Sequence, residues 1–153
     1  RVRGDVRLTA ELTRVLHHEY VHAALDAAAP SLVLPALVNE GLAEWFARRA
    51  LGLPILEPYE AALLERAGRS ADWLPLPALL SPSFVSFEPH TAALAYLESR
   101  AFVAYLARHH GERSLLKFWR ALVRSGQLER ALARAFGSDL TEIEARMLKE
   151  LTR

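Results

Sequence analysis

The sequence predicts one predominantly helical domain with a single strand at its N-terminus. Three observations support this prediction. Hydrophobic residues recur at helical spacing along most of the 153 residues, proline and glycine separate these stretches, and only residues 1–8 alternate. Hydrophobic residues make up 52% of the chain and charged residues 24%, so the chain suits one folded domain (1–153) and not a disordered segment.

Charge and residue counts exclude several classes of protein. The 19 basic and 18 acidic side chains nearly cancel, which removes the electrostatic basis for binding nucleic acid or an anionic membrane. Cysteine is absent, so disulfides and thiolate metal sites are excluded. No apolar run reaches membrane-spanning length. Because the first residue is not methionine, we expect a fragment of a longer chain with an upstream domain. The compartment stays open, with an extracytoplasmic or membrane-tethered location included.

A strand and a long helix are predicted first. Residues 1–8 alternate between apolar and charged side chains, the period of a half-buried strand, which has to pair with a neighbour or pack on helices. Thr9 suits the N-cap of a helix over residues 10–29. This helix is apolar on most sides, which predicts that it is central and buried, and Pro30 ends it.

The remaining elements are also helical. Helices are predicted from Pro35 to about residue 51 and over residues 59–67. Residues 69–89 are rich in proline and serine, with a short helix near 76–80; this segment either lines a cleft or covers the core. Further helices are predicted over 91–110, 112–125 and 128–136, and a capping box at residues 141–144 opens the last one.

The stretch His18-Glu19-Tyr20-Val21-His22 carries the main chemical signal. Two histidines at i and i+4 lie on one face of a helix, so two ring nitrogens can reach one Zn²⁺. Glu19 follows the first histidine directly and points to the side of the metal. A carboxylate held there can accept a proton from water that the metal activates.

A third ligand is predicted on the next helix. A catalytic zinc site needs three protein ligands and one open position. Glu40 supplies the third and is separated from His22 by the 17 residues 23–39; it lies within Asn39-Glu40-Gly41-Leu42-Ala43-Glu44. Glu44 lies one turn further on, where its carboxylate can hold the outer nitrogen of a ligand histidine and orient the ring.

These two motifs together resemble the gluzincin clan of zinc metallopeptidases, in particular the small bacterial peptidase MA-like domains. The stretch Tyr96-Leu97-Glu98-Ser99 is similar to the tyrosine-containing helix that follows the third ligand in that clan. The resemblance implies an α+β zincin-like fold with an active-site helix and a reduced or truncated N-terminal sheet. It also implies that Tyr96 donates a hydrogen bond to the oxyanion, with His90 as the alternative donor.

The function predicted from these residues is zinc-dependent hydrolysis of a peptide or protein substrate, with Glu19 as the general base. One alternative is a catalytically inactive domain that keeps zinc and binds a partner. The other is a purely structural helical domain that binds no metal. Side-chain preference and the choice between endopeptidase and exopeptidase action are not predicted by the sequence.

Overall fold

The computed structural model describes residues 9–153, which contain seven α-helices and one 3₁₀ helix. The α-helices, numbered α1 to α7 in chain order, are Ala10–Ala28, Ala36–Ala50, Pro58–Gly68, Pro89–His110, Glu112–Ser125, Leu128–Phe136 and Leu140–Leu151. The 3₁₀ helix is Leu76–Leu80. The strand predicted for residues 1–8 lies outside the described residues.

The predicted α+β class is wrong for the described residues, which contain helices and no strand. A zincin-like fold with a reduced sheet therefore does not describe them. The physical reason lies in the sequence pattern: beyond residue 8, apolar residues follow the helical period between proline and glycine stops. The α+β expectation came from the motif resemblance, and a motif on two neighbouring helices constrains only those helices.

Most predicted helix boundaries are confirmed within two residues, and one cap is corrected. The side chain of Thr9 accepts a hydrogen bond from the backbone nitrogen of Leu12 at 3.1 Å, so Thr9 is the N-cap of α1. The last helix begins earlier than predicted. Its N-cap is Asp139, whose carboxylate accepts from the backbone nitrogen of Glu142 at 2.8 Å. Asp139 offers a charged acceptor, and aspartate is preferred over threonine at the N-cap.

The prediction that α1 is the central, buried helix is wrong. None of its residues is fully buried, and Leu16 and Tyr20 are 51% and 73% exposed. In the described part of the chain α1 packs mainly against α2, so its apolar side chains have a partner on one side only. The central helix is α4, where Phe102 and Leu106 are completely buried.

The proline-rich segment between α3 and α4 mainly covers the core. Leu76, Leu79 and Phe84 are buried among the helices. Glu144 of α7 anchors the segment, because its carboxylate accepts hydrogen bonds from Trp73 Nε1 at 2.8 Å and from the backbone nitrogen of Leu76 at 3.0 Å. Of the two alternatives left open by the sequence, packing therefore accounts for most of this segment.

Helices α2 and α4 approach each other closely at Gly41. A Cβ atom at this position would lie 2.8 Å from Cγ2 of Val103 and closer still to the carbonyl oxygen of Ser99. Glycine is required here because the backbone carbonyl of α4 cannot move away without bending that helix. The close approach also brings α4 beside Glu40 and Glu44, which flank Gly41 on α2.

We expect Gly41→Ala to lower the free energy of unfolding by about 1–3 kcal/mol, which is the usual cost of overpacking. The clash outweighs the gain of about 1 kcal/mol that alanine brings to a helix. Gly68→Ala is the matched control, because its Cβ would meet only the side-chain tips of Leu148 and Thr152, both at 3.2 Å. Urea unfolding of both variants tests this expectation, and a Gly41→Ala protein as stable as the Gly68→Ala protein would contradict it.

Glu98 is a buried carboxyl group in the middle of α4. Its side chain is 0% exposed, Oε1 accepts a hydrogen bond from the backbone nitrogen of Leu74 at 3.1 Å, and Oε2 has no partner. Burial raises the pKa of Glu98 from 4.5 to about 8, and the negative charge of Glu144 adds to the rise. Between these two pH values the folded protein holds a proton that the unfolded chain has released.

The free energy of unfolding should therefore fall as pH rises from about 4.5 to about 8, at most by roughly 1.4 kcal/mol per pH unit from this group. Glu98→Gln removes the titration, so we expect the variant to be more stable than the wild type at pH 9 and close to it at pH 5. Exposed Glu88 provides the control variant Glu88→Gln. Urea unfolding at pH 5, 7 and 9 measures the effect, and parallel pH profiles for wild type and Glu98→Gln would refute it.

Candidate metal centre

Three ligand-type side chains from α1 and α2 converge on one point. Nε2 of His18 lies 2.9 Å from Nε2 of His22, and each of these nitrogens lies 3.4 Å from Oε2 of Glu40. The two histidines are one turn apart on α1, and Glu40 faces them from the first turns of α2. This is a group of three whose ligand atoms all lie within 4.8 Å of one another.

The spacing of these atoms fits a tetrahedral zinc ion. Zinc binds histidine nitrogen and carboxylate oxygen at about 2.0–2.2 Å, so two ligand atoms of a tetrahedron lie about 3.3–3.6 Å apart. The two distances to Glu40 match this edge, and the distance between the histidine nitrogens is a few tenths of an ångström shorter. Two histidines and one glutamate also leave the fourth position open, as catalytic zinc sites do.

The outer nitrogens of both rings face acceptor oxygens. Nδ1 of His22 lies 3.0 Å from Oδ1 of Asn39, and Nδ1 of His18 lies 3.0 Å from Oε1 of Glu44. Since these oxygens only accept, each Nδ1 has to carry the hydrogen. The contact with Glu44 deviates from hydrogen-bond geometry, and Nδ1 of His18 has no better partner. Both Nε2 atoms then aim lone pairs at the same point, which is favourable only when they share a cation.

The site is electrostatically prepared for a cation. Interaction with Glu40, and then with Glu44, raises the pKa of His18 to about 9, and Glu40 likewise raises the pKa of His22. Burial disfavours ionisation of Glu40, but its contacts with His18 and His22 outweigh burial and lower its pKa to about 2. The carboxylate therefore stays ionised at neutral pH, and a proton or a metal ion occupies the point between the nitrogens.

Three arginines surround Glu44. Its Oε1 lies 2.6 Å from Nη1 of Arg14, and its Oε2 lies 3.2 Å from Nη1 of Arg100 and 3.6 Å from Nε of Arg48. Burial opposes ionisation of Glu44, but His18, Arg14 and Arg100 outweigh it and lower its pKa to about 2. Arg48 and Arg100 also pair with Glu60 of α3.

Sequence reasoning missed this network and the role of Asn39. Arg14 and Arg100 lie on other helices than Glu44, so no local spacing indicates their contacts. Arg48 lies four residues after Glu44 on α2, a spacing that could have indicated this pair. The position of Asn39, directly before Glu40, was the only available signal for its contact with His22.

Two cavities border the metal centre, and the predicted residues Glu19, Glu44 and Tyr96 line them. The first, of about 560 Å³, is lined by His18, Glu19, Glu44 and Tyr96 among others. The second, of about 590 Å³, is lined by Glu19 and His22 among others. Burial raises the pKa of the Tyr96 phenol, as do the charges of Glu40 and Glu19. His90, by contrast, borders neither cavity.

A comparison of the chain with protein-family models, with curated proteins and with solved structures finds no match. A functional conclusion has to rest on the chemistry of the site itself. Among the described residues, no helix has both the length and the hydrophobicity that crossing a membrane requires.

Proposed function

We propose that this protein is a zinc-dependent peptidase of the gluzincin type, with His18, His22 and Glu40 as the zinc ligands. The observation that carries the proposal is the convergence of three ligand atoms at the spacing of a tetrahedral zinc ion. The proposal concerns the ligand set and its chemistry, and it does not depend on the sheet that gluzincins otherwise contain. The acceptor oxygens behind both rings support it, because zinc ligands are usually oriented by such partners.

Zinc bound to such a set supplies Lewis acidity and lowers the pKa of water toward about 7. Glu19 is the residue that takes the proton as water adds to the scissile carbonyl carbon. It then delivers this proton to the leaving amine as the carbon–nitrogen bond breaks. Glu19 is exposed, so its carboxylate can accept and release a proton. It also follows the ligand His18 directly and borders both cavities.

Tyr96 is the residue that donates a hydrogen bond to the developing oxyanion. A tyrosine phenol is already protonated at neutral pH, and burial raises the pKa of Tyr96 further, so its hydroxyl can donate. Its ring packs edge-to-face against Phe84, with the ring centroids 5.3 Å apart, which restricts the direction of the hydroxyl group. It shares its cavity with His18 and Glu19.

We expect Tyr96→Phe to lower kcat by roughly 10²–10³-fold with little change in KM, because one oxyanion donor is lost and packing is kept. Steady-state kinetics on a peptide substrate measures this change. His90→Ala is the control and should retain the wild-type rate. A Tyr96→Phe enzyme at the wild-type rate together with a slow His90→Ala enzyme would transfer the role to His90.

The proposed activity is tested by incubating the zinc-loaded protein with a mixed peptide library and identifying products by mass spectrometry. We expect cleavage that stops after chelation and returns when zinc is restored. A protein that holds one zinc per chain and cleaves no peptide would instead be an inactive zinc-binding module. Cleavage that persists in the His22→Ala variant would indicate a contaminating peptidase and would also count against the proposal.

A further inference from the structure

The two cavities at the metal centre lie on opposite sides of it along α1. The first is bordered by Glu11, Arg14 and Val15, all N-terminal to the first ligand histidine. The second is bordered by Ala23 and Asp26, both C-terminal to the second ligand histidine. Glu19 is the residue that borders both cavities. Open space therefore lies on both sides of the proposed general base.

The length of this space matches an extended peptide. A helix rises about 1.5 Å per residue, so Glu11 and Asp26 lie about 22 Å apart along α1. An extended chain advances about 3.3 Å per residue, so about six or seven residues span that distance. Glu19 lies near the middle, which leaves room for about three substrate residues on each side of the scissile bond.

In the first cavity, each arginine among the described lining residues already has carboxylate partners. Arg14 pairs with Glu11 and Glu44, whereas Arg48 and Arg100 each pair with both Glu44 and Glu60. A carboxypeptidase needs a positive charge that is available within about one residue of the scissile bond, so that it can hold the C-terminal carboxylate. Among the described residues, those lining this cavity do not meet that need.

Among the described residues that line it, the second cavity likewise has no charge in the position that an aminopeptidase needs. Apart from Glu19 itself, its acidic lining residue is Asp26, which lies about 10 Å further along α1 at the helical rise of about 1.5 Å per residue. That distance corresponds to about three extended residues and not to one. A substrate ammonium group next to the scissile bond would therefore have no dedicated partner on this side.

The wall opposite α1 in the second cavity is irregular backbone. Val33 and Leu34 line the cavity, and Val33 is 76% exposed. Within the described residues, neither makes a main-chain hydrogen bond. Free backbone groups beside a cleft can pair with an extended peptide, whatever its side chains are.

We propose that the protein is an endopeptidase that binds about three residues of an extended chain on each side of the bond it cuts. This inference rests on the proposed function and names its substrate class: internal bonds of unstructured peptide segments. Neither chain end of the substrate is recognised. Among the described lining residues, the charged side chains of the first cavity other than Glu19 are paired with one another, and Asp26 of the second cavity is about three extended residues from Glu19.

Two matched pools of decapeptides test the inference with the zinc-loaded protein. One pool has free termini, and the other is acetylated at the N-terminus and amidated at the C-terminus. We expect both pools to be cut at rates within about threefold of each other, at bonds at least about three residues from either end. If the blocked pool is not cut and the free pool releases single residues or dipeptides, the inference is overturned and the proposed function still stands. Cleavage of neither pool overturns the proposed function, and the inference with it.

Bulky substitutions test each side of the cleft separately. Ala93 and Ala23 are exposed and line the first and second cavity, whereas Ala27 is exposed on α1 and lines neither. In a Glu19→Gln background, Ala93→Trp and Ala23→Trp should each weaken binding of a labelled, doubly blocked decapeptide by at least about tenfold, measured by fluorescence anisotropy. Ala27→Trp should stay within about twofold. Sensitivity to only one of the two substitutions would mean that substrate occupies one side, as in an exopeptidase, and would overturn the inference.

Discussion

Replacing Glu19 with glutamine is expected to lower kcat for peptide hydrolysis by roughly 10²–10⁴-fold, the usual contribution of a positioned general base. The amide has the shape of the carboxylate but cannot accept the proton of the attacking water. Zinc content and thermal stability should not change, because Glu19 is exposed and is not one of the three converging ligands. Steady-state kinetics, metal analysis and thermal unfolding of the same preparation measure these three quantities.

Asp26→Asn is the matched control for this experiment. It converts another exposed carboxylate of α1 to an amide, and Asp26 borders the same second cavity. We expect its kcat to remain within a few-fold of the wild type. If Glu19→Gln hydrolysed peptides at the wild-type rate, the proton would have to pass through a different group, and the assignment of Glu19 would be wrong.

The second large effect concerns the metal. His22→Ala removes one of three ligands, and zinc affinity should fall by more than the roughly 10–100-fold that loss of a supporting residue costs. Because the ligands come from two helices, zinc should stabilise the wild-type fold. At a free zinc concentration of about 1,000 times Kd, this stabilisation amounts to about 4 kcal/mol. For a chain of this size the corresponding rise in Tm is roughly 8–16 °C.

We therefore expect zinc to raise the Tm of His22→Ala much less than that of the wild type. His17→Ala is the control, since His17 lies on the same helix and its Nδ1 contacts the backbone oxygen of Thr13 at 2.9 Å. This variant should respond to zinc as the wild type does. An equal rise in Tm for His22→Ala would show that zinc binds elsewhere on the protein.

Local patterns predicted the helices well. The stops at Pro30 and Gly111 and the cap at Thr9 act on neighbouring residues, so a reading of adjacent positions finds them. The burial of a helix depends instead on what packs against it. The apolar faces of α1 suggested a central position, but α4 occupies the centre, because Gly41 lets α2 approach it closely. The approach of α2 to α4 joins residues that are far apart in the sequence, so no local pattern predicts it.

In the metal centre, too, the local features were predictable from the sequence and the long-range contacts were not. His18 and His22 form a local pair, and Glu40 follows within a recognisable second motif, so all three were predicted as ligands. The pairing of Arg14 and Arg100 with Glu44 joins residues 30 and 56 positions apart. A chain rich in arginine offers no reason to choose these two before the helices are packed. The two-sided cleft likewise arises only when α1 to α4 and the segment between α1 and α2 are assembled.

Metal analysis of the wild-type protein, purified without added zinc and without chelators, tests the central claim most directly. The three ligand atoms, their spacing and the negative charge of Glu40 predict about one zinc per chain, and the His22→Ala protein prepared in parallel should contain almost none. A wild-type protein that contains no metal, and takes up none on addition of excess zinc, would contradict the account and favour a purely structural helical domain.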